Sequence, residues 1–100
     1  MTKIDLRKEA KGRPCMVQVP GVCNNSPETT VLAHLNVPGL NVKAHDLHGA
    51  WACSNCHAWL DYGWALASKF GHSVSRTERD FYHYEAIIRT QQHLIKEGKL

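Results

Sequence analysis

No stretch of 18 apolar residues exists in the chain, so nothing in it is long enough to cross a bilayer as a helix. The opening, Met1-Thr2-Lys3-Ile4-Asp5-Leu6-Arg7-Lys8, lacks the apolar core of a secretory leader. The expected compartment is therefore the reducing cytosol, where spaced cysteines read as metal ligands rather than disulfides. Internal repeats and low-complexity tracts are missing too. Charge of one sign is scarce: the formal net is +3 over 100 residues. A strong positive field is thereby excluded, and any grip on nucleic acid has to come from a local patch and a bound cation. Size is the last shortage. A chain of this length buries roughly two-thirds of its unfolded surface, so its core is marginal and gains from a staple. One small domain over residues 1–100 is expected.

The charge that is present is unevenly spread. Residues 1–14 hold Lys3, Arg7, Lys8, Lys11 and Arg13 against Asp5 and Glu9, a net of +3. Residues 15–75 hold only Lys43 and Lys69 against three acids, a net of −1, and residues 76–100 come to +1. The candidate nucleic-acid contacts are accordingly Arg7, Lys8, Lys11 and Arg13 on a basic arm, with Lys43 and Lys69 nearest in sequence to the central motifs.

Taken in order, residues 4–11 suit a short basic helix stopped by Gly12 and Pro14. Cys15 to Val19 reads as a strand, and Pro20-Gly21 as a turn that delivers Cys23. Thr29 to Leu35 is β-branched at its start and suits a strand ending near His34. Pro38, Gly39 and two asparagines mark a loop, and Leu47 to Ala52 can return as a second strand. A main helix is expected from about Ser54 to Phe70, stopped by Gly71, with Leu60, Trp64 and Ala67 on its core face. Ser75-Arg76-Thr77-Glu78 is a capping box opening a last helix that reaches about Glu97. Phe81, Tyr84, Ile87, Ile88, Leu94 and Ile95 form its apolar stripe, read as core or, alternatively, as the face of a homodimer.

The densest chemistry lies in Cys53-Ser54-Asn55-Cys56-His57-Ala58-Trp59-Leu60-Asp61. Cys53 and Cys56 have the spacing that lets two sulfurs reach one ion, and Cys15 and Cys23 supply a second pair with none left over. Four thiolates from two chain segments suit a structural Zn²⁺, which would pin the N-terminal segment to the start of the main helix. The run from Cys53 to His57 also matches a c-type haem attachment pattern. The lack of an export leader and the unexplained second pair argue against that. A dithiol redox motif fails on the same pair and on the missing βαβ pattern. If a helix starts near Cys56, His57 and Asp61 fall at i and i+4 with Cβ atoms about 5–6 Å apart, able to grip a second cation.

Ala33-His34-Leu35 at the end of a strand, and Trp51 to His57 behind a Cys-x-x-Cys knuckle, resemble the HNH, or His-Me finger, nucleases. More closely, the segments Gly21–Leu35 and Gly49–His57 are similar to the YbcO-like nucleases of lambdoid phages and prophages, a likeness covering about residues 6–61. The resemblance implies an α+β fold: a small zinc-stapled ββα-metal core, treble-clef-like, over residues 15–71, between the arm of residues 1–14 and the helix of 75–97. It implies His34 as general base and a helix residue, His57, holding the working cation, Mg²⁺ or Mn²⁺, with Ni²⁺ or Zn²⁺ also suited to a nitrogen ligand. DNA is the implied partner. The family's middle asparagine, which orients the base, has no direct match. Asp46 is the leading stand-in, since a carboxylate accepts the imidazole's other N–H; Asn41 and His48 are the alternatives. The position before the base, often acidic in the family, is Ala33. The expected function is a metal-dependent DNA endonuclease or nickase serving phage or prophage DNA recombination or processing. The rival is a non-catalytic zinc module that binds DNA or a recombination protein, with His57 and Asp61 merely structural.

Overall fold

Asp5 begins the first helix by accepting hydrogen bonds from the amides of Arg7 and Lys8, at 3.1 and 3.2 Å. Such a cap satisfies donors that have no partner inside the helix. The computed structural model describes residues 4–35, 45–63 and 74–100. Helix α1, Leu6–Ala10, buries Ala10 and ends at Lys11, followed by Gly12 at φ +78°.

The segment from Cys15 to Val19 is not the strand its pattern suggests. Gln18 turns into the left-handed region at φ +51°, its amide points at Cys15 Sγ at 3.5 Å, and its side chain donates to the Cys15 carbonyl at 3.0 Å. The chain thus wraps around a sulfur rather than extending. Cys15, Met16, Val17 and Val19 are still buried, so the apolar pattern reports burial correctly and geometry wrongly. The turn at Pro20-Gly21 forms as expected, with the amides of Val22 and Cys23 both bonded to the Val19 carbonyl at 3.0 Å.

A 3₁₀ turn, Pro27–Thr29, leads into β1, Val31–His34, which pairs antiparallel with β2, Gly49–Ala52. The register sets Val31 against Ala52 and His34 against Gly49. A second 3₁₀ turn, Asp46–His48, occupies the start of the expected second strand, because His45 Nδ1 accepts the Leu47 amide at 3.0 Å and curls the backbone. Every residue of β2 is buried. Gly49 is required by close approach: a Cβ there would sit 2.6 Å from Leu32 Cγ.

Helix α2, Ser54–Asp61, is capped by Cys53, whose sulfur accepts the Cys56 amide at 3.4 Å. It is shorter than the pattern suggests, since Tyr62 leaves helical geometry at φ −151° and ψ −21°. Leu60 is buried as expected; Trp64, Ala67 and the stop at Phe70-Gly71 lie outside the described residues.

Helix α3, Arg76–Lys96, starts at the predicted cap, Ser75 Oγ accepting the Glu78 amide at 3.1 Å. It packs on β2. Its buried face corrects the expected stripe: Arg79, His83, Ala86, Ile87, Thr90 and Leu94 face inward, while Phe81, Tyr84, Ile88 and Ile95 are exposed. The inward polar groups are chosen by partners. Thr90 Oγ1 accepts the Trp51 amide at 3.0 Å, His83 Nε2 bonds the Ala33 carbonyl at 2.9 Å, and an Arg79 amino group bonds the Leu60 carbonyl at 3.3 Å. One helix thereby ties both strands and α2 together.

The ends of the chain are clasped. Arg13 bonds Glu97 at 2.6 Å and Glu9 at 3.0 Å, with Lys99 Nζ 2.7 Å from Glu9. The guanidinium also stacks 4.7 Å above the Trp51 ring. These contacts push Glu97 down to about 2, through the Arg13 hydrogen bond first and that of Lys99 second.

Candidate metal centre and adjoining cleft

Wrapping at Gln18, the turn at Pro20-Gly21 and the cap at Cys53 all converge on one point. There the sulfurs of Cys15, Cys23, Cys53 and Cys56 lie within 4.8 Å of one another, and Cys23 Sγ is 3.9 Å from Cys53 Sγ. Tetrahedral zinc with bonds of about 2.3 Å sets its sulfurs about 3.8 Å apart, so the donor set fits a cation with modest tightening. Amides of Gln18 and Cys56 point at two of the sulfurs, which is how a thiolate gains hydrogen-bond support. The hydrogen bond from Cys56 lowers the Cys15 thiol, while that same bond and burial push Cys56 up; burial likewise raises Cys23. Four thiols this close resist ionising together, and a divalent cation resolves that conflict. The cysteines predicted from spacing are therefore assembled as one group able to hold a metal ion.

A second constellation is partly open to solvent. His34 Nε2 donates to Asp46 Oδ1 at 2.6 Å, the carboxylate being held below its ordinary value first by that hydrogen bond and then by Arg7 nearby. Arg7 Nε lies 3.5 Å from the same oxygen. With Nε2–H committed to Asp46, the His34 lone pair resides on Nδ1. The pair is positioned by the hairpin: His34 ends β1, Asp46 opens the 3₁₀ turn leading into β2, and Leu35 N–H to the His48 carbonyl, at 3.1 Å, closes the ladder between them.

His57 and Asp61 occupy successive turns of α2, with Nε2 3.6 Å from Oδ2 and both side chains partly exposed. Two donors on one cation sit about 3–3.5 Å apart, so this pair needs little movement to chelate. Among the described residues, however, the cysteine group is the one cluster of three or more such donors at ligand spacing.

An open cleft of about 520 Å³ is lined by His34 and His57 together with Arg7, Lys11 and Glu28. Arg7 on α1 and Lys11 at its C-cap both reach this cleft, and α1 packs beside β1. Lys8 is exposed but does not line the cleft, and Arg13 is drawn away into the clasp with Glu9 and Glu97. Lys43, Lys69 and the alternative orienter Asn41 lie outside the described residues.

Two groups escaped the reading of the sequence. Glu28 is held at the cleft rim by Ser26 Oγ at 2.6 Å, and nothing in its local sequence marks it. His83 sits inside α3, nearly buried, its burial lowering its pKa against the smaller opposing effect of the Ala33 carbonyl. Ala33 itself is 1% exposed, so its side-chain position has no room for the acidic ligand that often precedes the base.

A family model described as "Putative nuclease YbcO" matches residues 4–99. "Putative nuclease YbcO" of Escherichia coli K12 is 42% identical over 97 residues, covering 94% of each chain, and a protein of the same description from Enterobacteria phage 82 matches equally. A solved structure, that of "a putative bacteriophage protein" from Escherichia coli K-12, superposes with a TM-score of 0.72 at 39% identity, covering 94% of this chain and all of that one.

Proposed function

The chain belongs to the YbcO nuclease family, and on that premise we propose that it is a metal-dependent DNA endonuclease or nickase with an HNH-type ββα core. One observation carries the proposal: His34, paired with Asp46 at 2.6 Å, shares a cleft with His57. Asp46 fixes the imidazole ring and its tautomer, which leaves Nδ1 to take a proton from an attacking water. His57 and Asp61 hold Mg²⁺ or Mn²⁺, with Ni²⁺ and Zn²⁺ also suited to the nitrogen ligand. A cation held there would polarise the phosphate and offset charge on the departing oxygen. Arg7 and Lys11 line the wall where the phosphate backbone has to run, supplying position rather than sequence readout.

The four cysteines take no part in the chemistry in this reading. They hold zinc and fix the first turn of α2, from which His57 projects. Lys43 and Lys69 complete the proposed DNA surface. The setting is phage or prophage DNA recombination or processing in the bacterial cytoplasm, in keeping with the phage and bacterial relatives.

The test is incubation of supercoiled plasmid with the zinc-loaded protein and Mg²⁺, Mn²⁺ or Ni²⁺, beside His34→Ala. Metal-dependent nicking that falls about 10²–10⁴-fold in the variant is expected. Binding without cleavage by the wild type would instead favour a non-catalytic zinc module.

A further inference from the structure

The outward face of α3 is built for a partner. Phe81, Tyr84, Ile88 and Ile95 are 58, 49, 64 and 53% exposed, on the side of the helix opposite to the residues packed on the sheet. At 1.5 Å per residue they form a stripe about 21 Å long. Single exposed apolar residues are ordinary, but an aligned row of four large ones is the mark of an interaction surface.

The charges beside the stripe say what covers it. By the 100° step of a helix, Glu78, Glu85, Arg89 and Lys96 all run along the same flank, acids toward the N-terminus and bases toward the C-terminus. When two helices pack antiparallel, like flanks face each other. A two-fold axis near Ile88 would then set Phe81 against Ile95 of the second copy and Ile88 against itself. The same axis brings Glu85 and Arg89, and Glu78 and Lys96, to within about 3 Å of level across the junction, a stagger that their long side chains span. Arg89 already lies 3.2 Å from Glu85 within one chain, so that carboxylate would be shared, while Glu78 and Lys96 are exposed and available. One register satisfies the apolar row and both charge pairs together.

We propose that this face pairs two copies of the chain, α3 antiparallel to α3 and centred on Ile88. None of the residues lining the His34 cleft belongs to α3, so pairing leaves both clefts open. With one helix per subunit the junction is at the small end of specific interfaces, and its dissociation constant should be micromolar.

Sedimentation velocity on the zinc-loaded full chain tests this. The wild type should pass from monomer to dimer between about 1 and about 100 µM. Ile88→Glu should stay monomeric across that range with unchanged circular dichroism and zinc content, folding being safe at so exposed a position. Glu78→Lys should weaken the dimer about tenfold through like charge at Lys96, and adding Lys96→Glu should restore it. A wild-type chain still monomeric at about 200 µM overturns the proposal and gives the face to a different partner. A dimer indifferent to Ile88→Glu, or a charge reversal that the second substitution fails to rescue, overturns it equally.

Discussion

The cysteine knuckle and the histidine cleft meet at one short helix and are built by opposite rules. In the knuckle, four donors come within 4.8 Å, three of them buried, and backbone amides point at the sulfurs. In the cleft, donors come as two separate pairs, His34 with Asp46 and His57 with Asp61, partly open to solvent. A saturated, buried set has no position left for a reactant and suits structure. Sparse, exposed pairs leave positions free, as a working cation and its substrate require. Cys56 and His57 are adjacent in the chain, yet the helix turns one inward and the other outward. The difference between the two regions lies in burial and donor count, more than in residue type.

That contrast can be broken most forcefully at the knuckle. Cys56→Ser should remove most of the folding free energy, because structural zinc contributes on the order of 10 kcal/mol and its binding is coupled to folding. Thermal melting and elemental analysis should show the variant unfolded and zinc-free. A stable, zinc-free Cys56→Ser would make the knuckle dispensable.

Asp46→Asn acts on the other side of the comparison. Cleavage should drop about 10–100-fold, since the amide no longer fixes the His34 tautomer, while zinc content and melting temperature stay put. Loss of zinc in this variant would show that the regions are not independent.

A smaller effect comes from His83, which links α3 to the strand bearing His34. Burial lowers its pKa in the fold, so the unfolded chain binds the proton more readily. Stability then rises with pH and is lost as pH falls from the unfolded value, about 6.5, toward the lower folded one. Urea titrations at several pH values should show this loss in the wild type. His83→Gln can keep a bond to the Ala33 carbonyl without titrating, and its profile should be flatter over that window.

The mildest prediction concerns the arm. Replacing Arg7 and Lys11 with alanine should reduce the slope of log affinity against log salt by about two units. The rate at saturating DNA should be little changed. The same substitution at Arg13 should instead lower stability, since its charge is spent on Glu9 and Glu97.

How far the sequence carried these features depended on where the deciding interaction lies. The gathering of the four cysteines into one group was legible because two pairs leave no other arrangement for a single site. The His34–Asp46 pair was legible through family likeness, and the cap at Ser75 acts within three residues. The orientation of α3 was not legible. Its large apolar side chains mostly face out, while Arg79, His83 and Thr90 face in to reach the carbonyls of Leu60 and Ala33 and the amide of Trp51. A hydrophobic pattern cannot announce a polar residue whose partner is a backbone group 19 to 50 positions away. The segment after Cys15 misled for a related reason: its burial pattern is that of a strand, but Gln18 bends it around a sulfur.

The central claim is that zinc and the working cation are held by different side chains of α2, and it is tested by measuring cleavage against Mn²⁺ concentration for the wild type and His57→Ala, with zinc counted in the same samples. The account predicts about one zinc per chain in both proteins. The half-saturating Mn²⁺ concentration should rise about 10–100-fold in the variant. An unchanged Mn²⁺ dependence, or activity that falls only in step with lost zinc, would contradict it.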